Sequence, residues 1–212
     1  MLYLTELSVP VSAVRRDAME SDPLVAADLS YALKVWLSRR QSVAVRPWRA
    51  SAAGKSVRIV GWRSEAPDLK AASANTYIGF RPFHLRAGHA VTLEGTFVPI
   101  RRATRGGTVR LSRDAAEGRD DEIDAYGTWL SERLRDVTPF FDVLHFNIDT
   151  IAKRRVLRKF GDHARAKVKE EVIPVVTAEL SGVVRDEAGF ERWLAKGVGP
   201  QKAFGFGAFL PC

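Results

Sequence analysis

Three stretches of the sequence hold residues suited to chemistry on a polyanion. Arg101, Arg102, Arg105, Arg110 and Arg113 share one short segment with Gly106-Gly107 as a hinge and no acid. A guanidinium offers two parallel hydrogen bonds from a planar fork, which matches phosphate. Lys153, Arg154, Arg155, Arg158, Lys159, Arg165, Lys167 and Lys169 form a second group, against a single acid, Asp162. Phe160-Gly161-Asp162 reads as a hairpin tip between two extended arms. A basic β-ribbon of that kind can enter a groove or straddle a duplex backbone. The third stretch is Gly197-Val198-Gly199-Pro200-Gln201-Lys202-Ala203-Phe204-Gly205-Phe206-Gly207. Its glycines let the backbone approach a partner closely at positive φ, and Lys202 adds charge. The loop leads from a helix into a strand, the reverse of the Walker and Rossmann loops. It therefore reads as a contact to a phosphodiester backbone and not as a nucleotide loop.

The composition agrees. The chain has 212 residues, 33 Lys and Arg against 25 Asp and Glu, and a formal charge of +8. Polyanions head the list of partners for such a surface. The one cysteine, Cys212, excludes an intrachain disulfide and a thiolate metal cage, and it fits a reducing cytoplasm. The N-terminus carries Glu6 within an alternating stretch and does not read as a signal peptide. His84, His89, His145 and His163 lack metal-ligand spacing with a carboxylate, so neither a metal nor another cofactor is expected. The acidic run from Asp114 to Asp124 reads as a loop and a helix N-terminus, where negative charge is favoured. Trp48 beside Arg46 and Arg49 is the leading candidate for base stacking, with Trp62 and Trp129 behind it, whereas Tyr126 sits on a helical core stripe.

The elements that must position these groups follow from periodicity. Leu2 to Val11 reads as a strand. Ser21-Asp22-Pro23 reads as a helix start, and Val25, Leu29, Ala32 and Trp36 carry the helix to Arg39 and Arg40. Ser42 to Trp48 and Ser56 to Trp62 read as strands, Asp68 to Ala74 as a helical turn, and Tyr77 to Phe83 as a strand. That βαββ(α)β order then recurs. Ala90 to Ile100 is a strand, the Arg-rich segment a loop, and Asp120 to Asp136 a helix with the stripe Ile123, Tyr126, Leu130 and Leu134. Val143 to Ile151 and Val172 to Val184 are strands, Asp186 to Lys196 a helix, and Phe206 to Leu210 a closing strand. The expectation is an α+β fold of two tandem ferredoxin-like domains, 1–87 and 88–212.

The glycine-rich stretch, placed after a last helix and before a last short strand, resembles the C-terminal signature of the CRISPR-associated RAMP proteins. The nearest form is the repeat-specific endoribonuclease of subtype I-E. The start Met1-Leu2-Tyr3-Leu4-Thr5 and the Asp22-Pro23 segment resemble it as well, while Val98-Pro99-Ile100-Arg101-Arg102 stands where members carry an Asn-Pro-x-x-Thr-like segment. The resemblance implies a protein that grips the stem-loop of CRISPR repeat RNA and places a basic hairpin in the duplex groove. It implies metal-free cleavage at the 3′ base of the stem, by attack of the 2′-hydroxyl on the adjacent phosphate. The mature crRNA and the other subunits of a surveillance complex would be the lasting partners.

The family's acid/base is a His near the start of the first helix, helped by a Tyr. Here Asp22-Pro23-Leu24-Val25-Ala26-Ala27 carries no His. Tyr31 is then the candidate for proton transfer, and Lys34 shares its face. Arg39, Arg40 and Lys202 are the candidates for stabilising charge on a phosphorane. A non-catalytic RNA-binding subunit of the same kind of complex is the alternative reading. No helix-turn-helix, zinc or Walker pattern supports a DNA-binding or nucleotide-using protein.

Overall fold

The computed structural model describes residues 1–23, 26–71, 75–102, 108–110, 119–160 and 167–212. The first half builds a four-stranded antiparallel sheet in the order β2-β3-β1-β4 from β1 (Leu2–Pro10), β2 (Trp48–Ala53), β3 (Ser56–Arg63) and β4 (Tyr77–Phe83). The second half repeats the order as β10-β5-β9-β8, from β5 (Ala90–Phe97), β8 (Phe141–Phe160), β9 (Lys167–Val184) and β10 (Phe209–Pro211). Both are the strand order of a ferredoxin-like βαββαβ unit.

Alternation in β1 explains its two-sided burial. Leu7 and Val9 turn to the first core, opposite Ile59 and Val57 on β3. Leu2 and Leu4 fall to the other parity and meet the second core. Helices α1 (Val11–Ser21) and α2 (Leu29–Ser38) cover the first core with Val14, Ala18, Leu33 and Trp36.

The helix expected to open at Ser21-Asp22-Pro23 begins only at Leu29, and α1 precedes it over a stretch where no element is expected from the sequence. Asp22 is extended, at φ −157°, and it ends α1; the cap of α2 is Asp28. A proline disfavours helix at the residue before it, so Asp22-Pro23 acts as a stop here. The strand expected at Ser42 to Trp48 begins only at Trp48. Val43 and Val45 are buried from a turn, which imitates strand alternation. Arg63 holds that turn through its guanidinium, which donates to the carbonyls of Ala44 (2.5 Å), Gln41 (3.2 Å) and Glu65 (3.1 Å). The helical turn expected at Asp68 to Ala74 is a 3-10 turn at Leu69–Ala71; residues 72–74 lie outside the described residues.

In the second half, Leu93 and Phe97 of β5 oppose Leu180 and Val176 of β9. Helices α3 (Arg119–Leu134) and α4 (Glu187–Lys196) close the core. On α3, Tyr126, Leu130 and Leu134 are buried as expected, Trp129 joins them, and Ile123 is 39% exposed. The closing strand begins at Phe209, because 202–204 form a 3-10 turn before it. The Arg-rich segment is not wholly loop: β6 (Ile100–Arg102) pairs with β7 (Thr108–Arg110), Arg101 opposite Val109 and Arg102 opposite Thr108. Arg105 and Arg113 lie outside the described residues.

The two halves share apolar surface. Leu2, Trp62 and Leu85 from the first half enter the second core, and Trp62 Nε1 donates to the Phe209 carbonyl at 2.8 Å. Among the described residues no helix is long and apolar enough to cross a membrane.

Candidate nucleic-acid interface

Beyond the pair Phe97–Val176, β9 pairs with β8 alone among the described residues. The β8–β9 ladder continues from Ala152–Val175 to Phe160–Lys167, nine paired positions past the sheet. At about 3.4 Å per residue the ribbon projects roughly 27 Å. The expected hairpin arms are thus present; its tip, with His163 and Arg165, lies outside the described residues. Lys153, Arg154, Arg155, Arg158 and Lys159 stand on one arm, and Lys167 and Lys169 on the other. The pairing also brings in Glu170 and Glu171, opposite Leu157 and Val156. Charge on the ribbon is therefore less one-sided than the window from Lys153 to Lys169 implies.

The ribbon has two unlike faces at its root. Ala152, Arg154 and Val156 share a parity with Val175 and Ile173, and this face packs on Val98, Phe204 and Phe206. Lys153 and Arg155 point the other way and are exposed. Arg155 pairs with Glu170 at 3.3 Å, with 81% of its side chain exposed. Arg154 is engaged on the inner side: Nη2 donates to Ser30 Oγ at 2.8 Å, and the guanidinium lies 5.5 Å from the centre of the Phe206 ring.

The glycine-rich loop is folded against the protein itself. Gly205 has φ +85°, and a Cβ there would collide with the Trp48 indole. Gly207 has φ +80°, and a Cβ there would collide with the Val198 carbonyl, while the Val198 N–H donates to the Gly207 carbonyl at 2.8 Å. Gly197 lies against Pro47 and Gly199 against Trp129. The close approach that the glycines permit is thus to tryptophan and to the loop's own backbone. Trp48, Trp62 and Trp129 are 2%, 0% and 1% exposed, so none of them is available to stack on a base. Two glycine positions select these conformations because an L side chain at positive φ is strained.

Lys202 anchors the loop to the end of α4. Its Nζ donates to the carbonyls of Lys196 (2.7 Å) and Gly197 (3.3 Å), a favourable place for a cation at a helix C-terminus. Burial, with the charge of Lys196 second, lowers its pKa from the ordinary lysine value.

Helix α2 brings Tyr31 and Lys34 to the loop. The Asp28 carboxylate caps the helix, accepting from the amides of Ser30 (2.8 Å) and Tyr31 (3.1 Å) through Oδ1. The Lys34 ammonium sits 4.8 Å from the centre of the Phe204 ring and 5.8 Å from that of Tyr31. Arg39 and Arg40 are elsewhere: Arg39 is paired with Glu20 at 2.9 Å, and Arg40 with Asp17. They stand eight or nine residues beyond Tyr31, roughly 12 Å along the helix axis, and tie α2 to α1. The structure therefore gathers Tyr31, Lys34, Phe204 and Arg154 and leaves Arg39 and Arg40 outside the group. His84, His89 and His145 are exposed on the linker between the sheets and on β8. Among the described residues no group of three His, Cys, Asp or Glu is placed to hold a metal.

The opposite faces of the two sheets open on a groove of about 680 Å³. Its cations are largely neutralised in place. Arg58 makes a two-pronged contact with Glu6 at 2.7 Å on each arm, and Arg49 pairs with Glu94.

Residues 28–210 match the model of a family of CRISPR associated proteins. The chain belongs to that family. Comparison with curated protein sequences finds no match. Among solved structures, Cse3 of Thermus thermophilus bound to an RNA representing a pre-cleavage complex is similar at 22% identity and TM-score 0.66, over 100% of this chain and 98% of that one. The CRISPR-associated protein Cas6e of Escherichia coli is similar at 17% identity and TM-score 0.60, over 99% and 98% of the two chains. A chain from a CRISPR RNA-guided surveillance complex follows at 13% identity and TM-score 0.52, over 98% and 97%. At these identities the likeness is one of fold, and it extends the tandem ferredoxin-like arrangement over the whole CRISPR-associated chain.

Two residues of the assembled group were not flagged by charge or by glycine spacing. Asp28 and Ser30 read in the sequence as ordinary residues within a long helix. The available signal was the cap itself: an Asp immediately before the stripe Leu29, Leu33, Trp36.

Proposed function

We propose that this CRISPR-associated chain grips the stem-loop of repeat RNA with the β8–β9 ribbon and cleaves it at the 3′ base of the stem. The carrying observation is the ribbon itself, a basic two-stranded arm whose root is seated on the helix bearing Tyr31 and Lys34. Lys153, Arg155, Arg158, Lys159 and Arg165 track the phosphates of the stem, and Arg101, Arg102, Arg105, Arg110 and Arg113 supply a second basic contact. Gly197, Gly199, Gly205 and Gly207 act on the RNA indirectly, by shaping the loop on which the ribbon rests. In the cleavage step the 2′-oxygen bonds to phosphorus and the bond from phosphorus to the 5′-oxygen breaks. The 2′-proton passes to the Tyr31 phenolate, and the leaving 5′-oxygen takes a proton from water, whose hydroxide returns Tyr31 to the phenolate. Lys34 and Lys202 stabilise the phosphorane's charge, while Arg39 and Arg40 support the helix. The product stays bound in the cytoplasm as part of a surveillance complex.

The test is cleavage of a repeat hairpin RNA in EDTA. The cut is expected to persist and to leave a 2′,3′-cyclic phosphate. A single 2′-deoxy substitution at the cut site is expected to abolish it without loss of binding. Activity lost in EDTA and restored by Mg²⁺ overturns the mechanism. Tight hairpin binding with no cleavage selects the second reading, a binding-only subunit, which the sequence Ala26-Ala27-Asp28 at the helix start favours because no imidazole stands there.

A further inference from the structure

Strand β8 is an edge strand, and the outward amide of Leu157 has no strand to pair with. It donates instead to Asp28 Oδ2 at 2.8 Å, while Oδ1 of the same carboxylate holds the amides of Ser30 and Tyr31. One side chain thus joins the ribbon edge to the first turn of α2. A second strut lies beside it. Ser30, 4% exposed, accepts from Arg154 through its hydroxyl. Between the struts lies a small cavity of about 40 Å³ walled by Val156, Ile173, Phe204 and Phe206. Two attachment points, three residues apart on the ribbon and two apart on the helix, fix rotation as well as distance.

We infer that Asp28 is a positioning residue which, with Ser30 and Arg154, sets the spacing between the stem-gripping ribbon and Tyr31, and so selects which phosphodiester is cut. The inference rests on the reading of this chain as a repeat-hairpin ribonuclease. The Tyr31 amide hangs from the carboxylate that holds Leu157. Loss of that contact frees the ribbon root to pivot relative to Tyr31, and a stem held on the ribbon then presents neighbouring phosphates in turn.

The selective variant is Asp28→Asn. Asparagine caps a helix as well as aspartate does, so an oxygen remains for Ser30 and Tyr31. Its amide group faces the Leu157 N–H, however, donor against donor. Ser30→Ala removes the acceptor of Arg154 and serves as the second variant. The probe is the full chain with Ala27→Cys and Cys212→Ser, carrying an iron–EDTA chelate on the exposed residue 27 and bound to end-labelled repeat hairpin RNA. The parent is expected to give one narrow band of radical scission at the base of the stem. In the D28N and S30A backgrounds that band spreads to adjacent nucleotides while hairpin affinity is retained. The chain's own product, made without the chelate, changes from one end to several, and the rate at the original site falls roughly ten- to a hundredfold. Unchanged bands and an unchanged product end in both variants overturn the inference. If D28N melts early, S30A alone decides. A parent that binds the hairpin but never cleaves it overturns the ribonuclease reading, and the band comparison still decides the role of Asp28. A parent that does not bind the hairpin overturns both.

Discussion

Arg154 and Arg155 are neighbours in the chain and differ in what they offer a phosphate. Arg154 is held by Ser30 and Phe206, whereas Arg155 is exposed and pairs with the half-exposed Glu170. An exposed pair of that kind contributes about 0–1 kcal/mol. Arg155→Ala is therefore expected to leave thermal melting unchanged, weaken hairpin RNA binding by about 1.5–3 kcal/mol and lower the salt slope by about one. Arg154→Ala is expected to lower the melting temperature and to cost less RNA affinity. A filter-binding titration across salt, beside a melting curve, reads both; the reverse ranking would place the phosphate contact on the ribbon's inner face. At Tyr31, replacement by Phe removes only the hydroxyl. Single-turnover cleavage is expected to fall roughly 10²- to 10⁴-fold with binding intact. A phenol ordinarily ionises near pH 10, so the parent's rate should climb with pH through the neutral range, and a bell centred near neutrality would assign the proton to an imidazole.

At the scale of elements, the glycine-rich loop and the ribbon root form one packed unit. Gly205→Ala forces a positive φ on alanine, which costs about 1–3 kcal/mol, and drives a methyl into Trp48. Melting should fall accordingly, and RNA affinity per folded molecule should hold; a loss of affinity without a loss of stability would mean that the loop touches RNA directly. The same unit marks where the sequence was legible. Strands β5 and β9 were legible as strands because apolar and β-branched residues fill them, and the run of cations announced the ribbon. The start of α2 was placed too early because Pro23 suits a helix start as well as a stop, and α1 lies in a stretch where no element is expected. The tryptophans were misread because Trp48 lies between two arginines in the chain, while its ring turns inward under Gly205. Contacts such as Asp28 to Leu157 join positions 129 apart in sequence and leave no local pattern to read.

Across the whole molecule, a ribbon in the second half can serve a helix in the first only if the halves are rigidly joined. Trp62 is the principal joint: it is fully buried, reaches the second core from β3, packs 4.9 Å from the Phe83 ring centre and donates to the Phe209 carbonyl. The Arg49–Glu94 pair and the contact of the Met1 amine with Glu191 at 3.2 Å are exposed additions to it, each of small value. Two variants separate apolar packing from the hydrogen bond. Trp62→Phe keeps much of the ring area but leaves a buried carbonyl without its donor, which costs about 1–3 kcal/mol. Trp62→Ala adds a cavity and is expected to cost about 3–5 kcal/mol. Calorimetry should show a single transition for the parent, a single lower one for W62F, and for W62A either a much lower transition or two, as the halves begin to melt apart. Cleavage of repeat hairpin RNA should fall further than binding in W62A at a temperature where both halves are still folded, because grip belongs to one half and Tyr31 to the other. Equal losses of binding and cleavage would place the whole RNA site within one half.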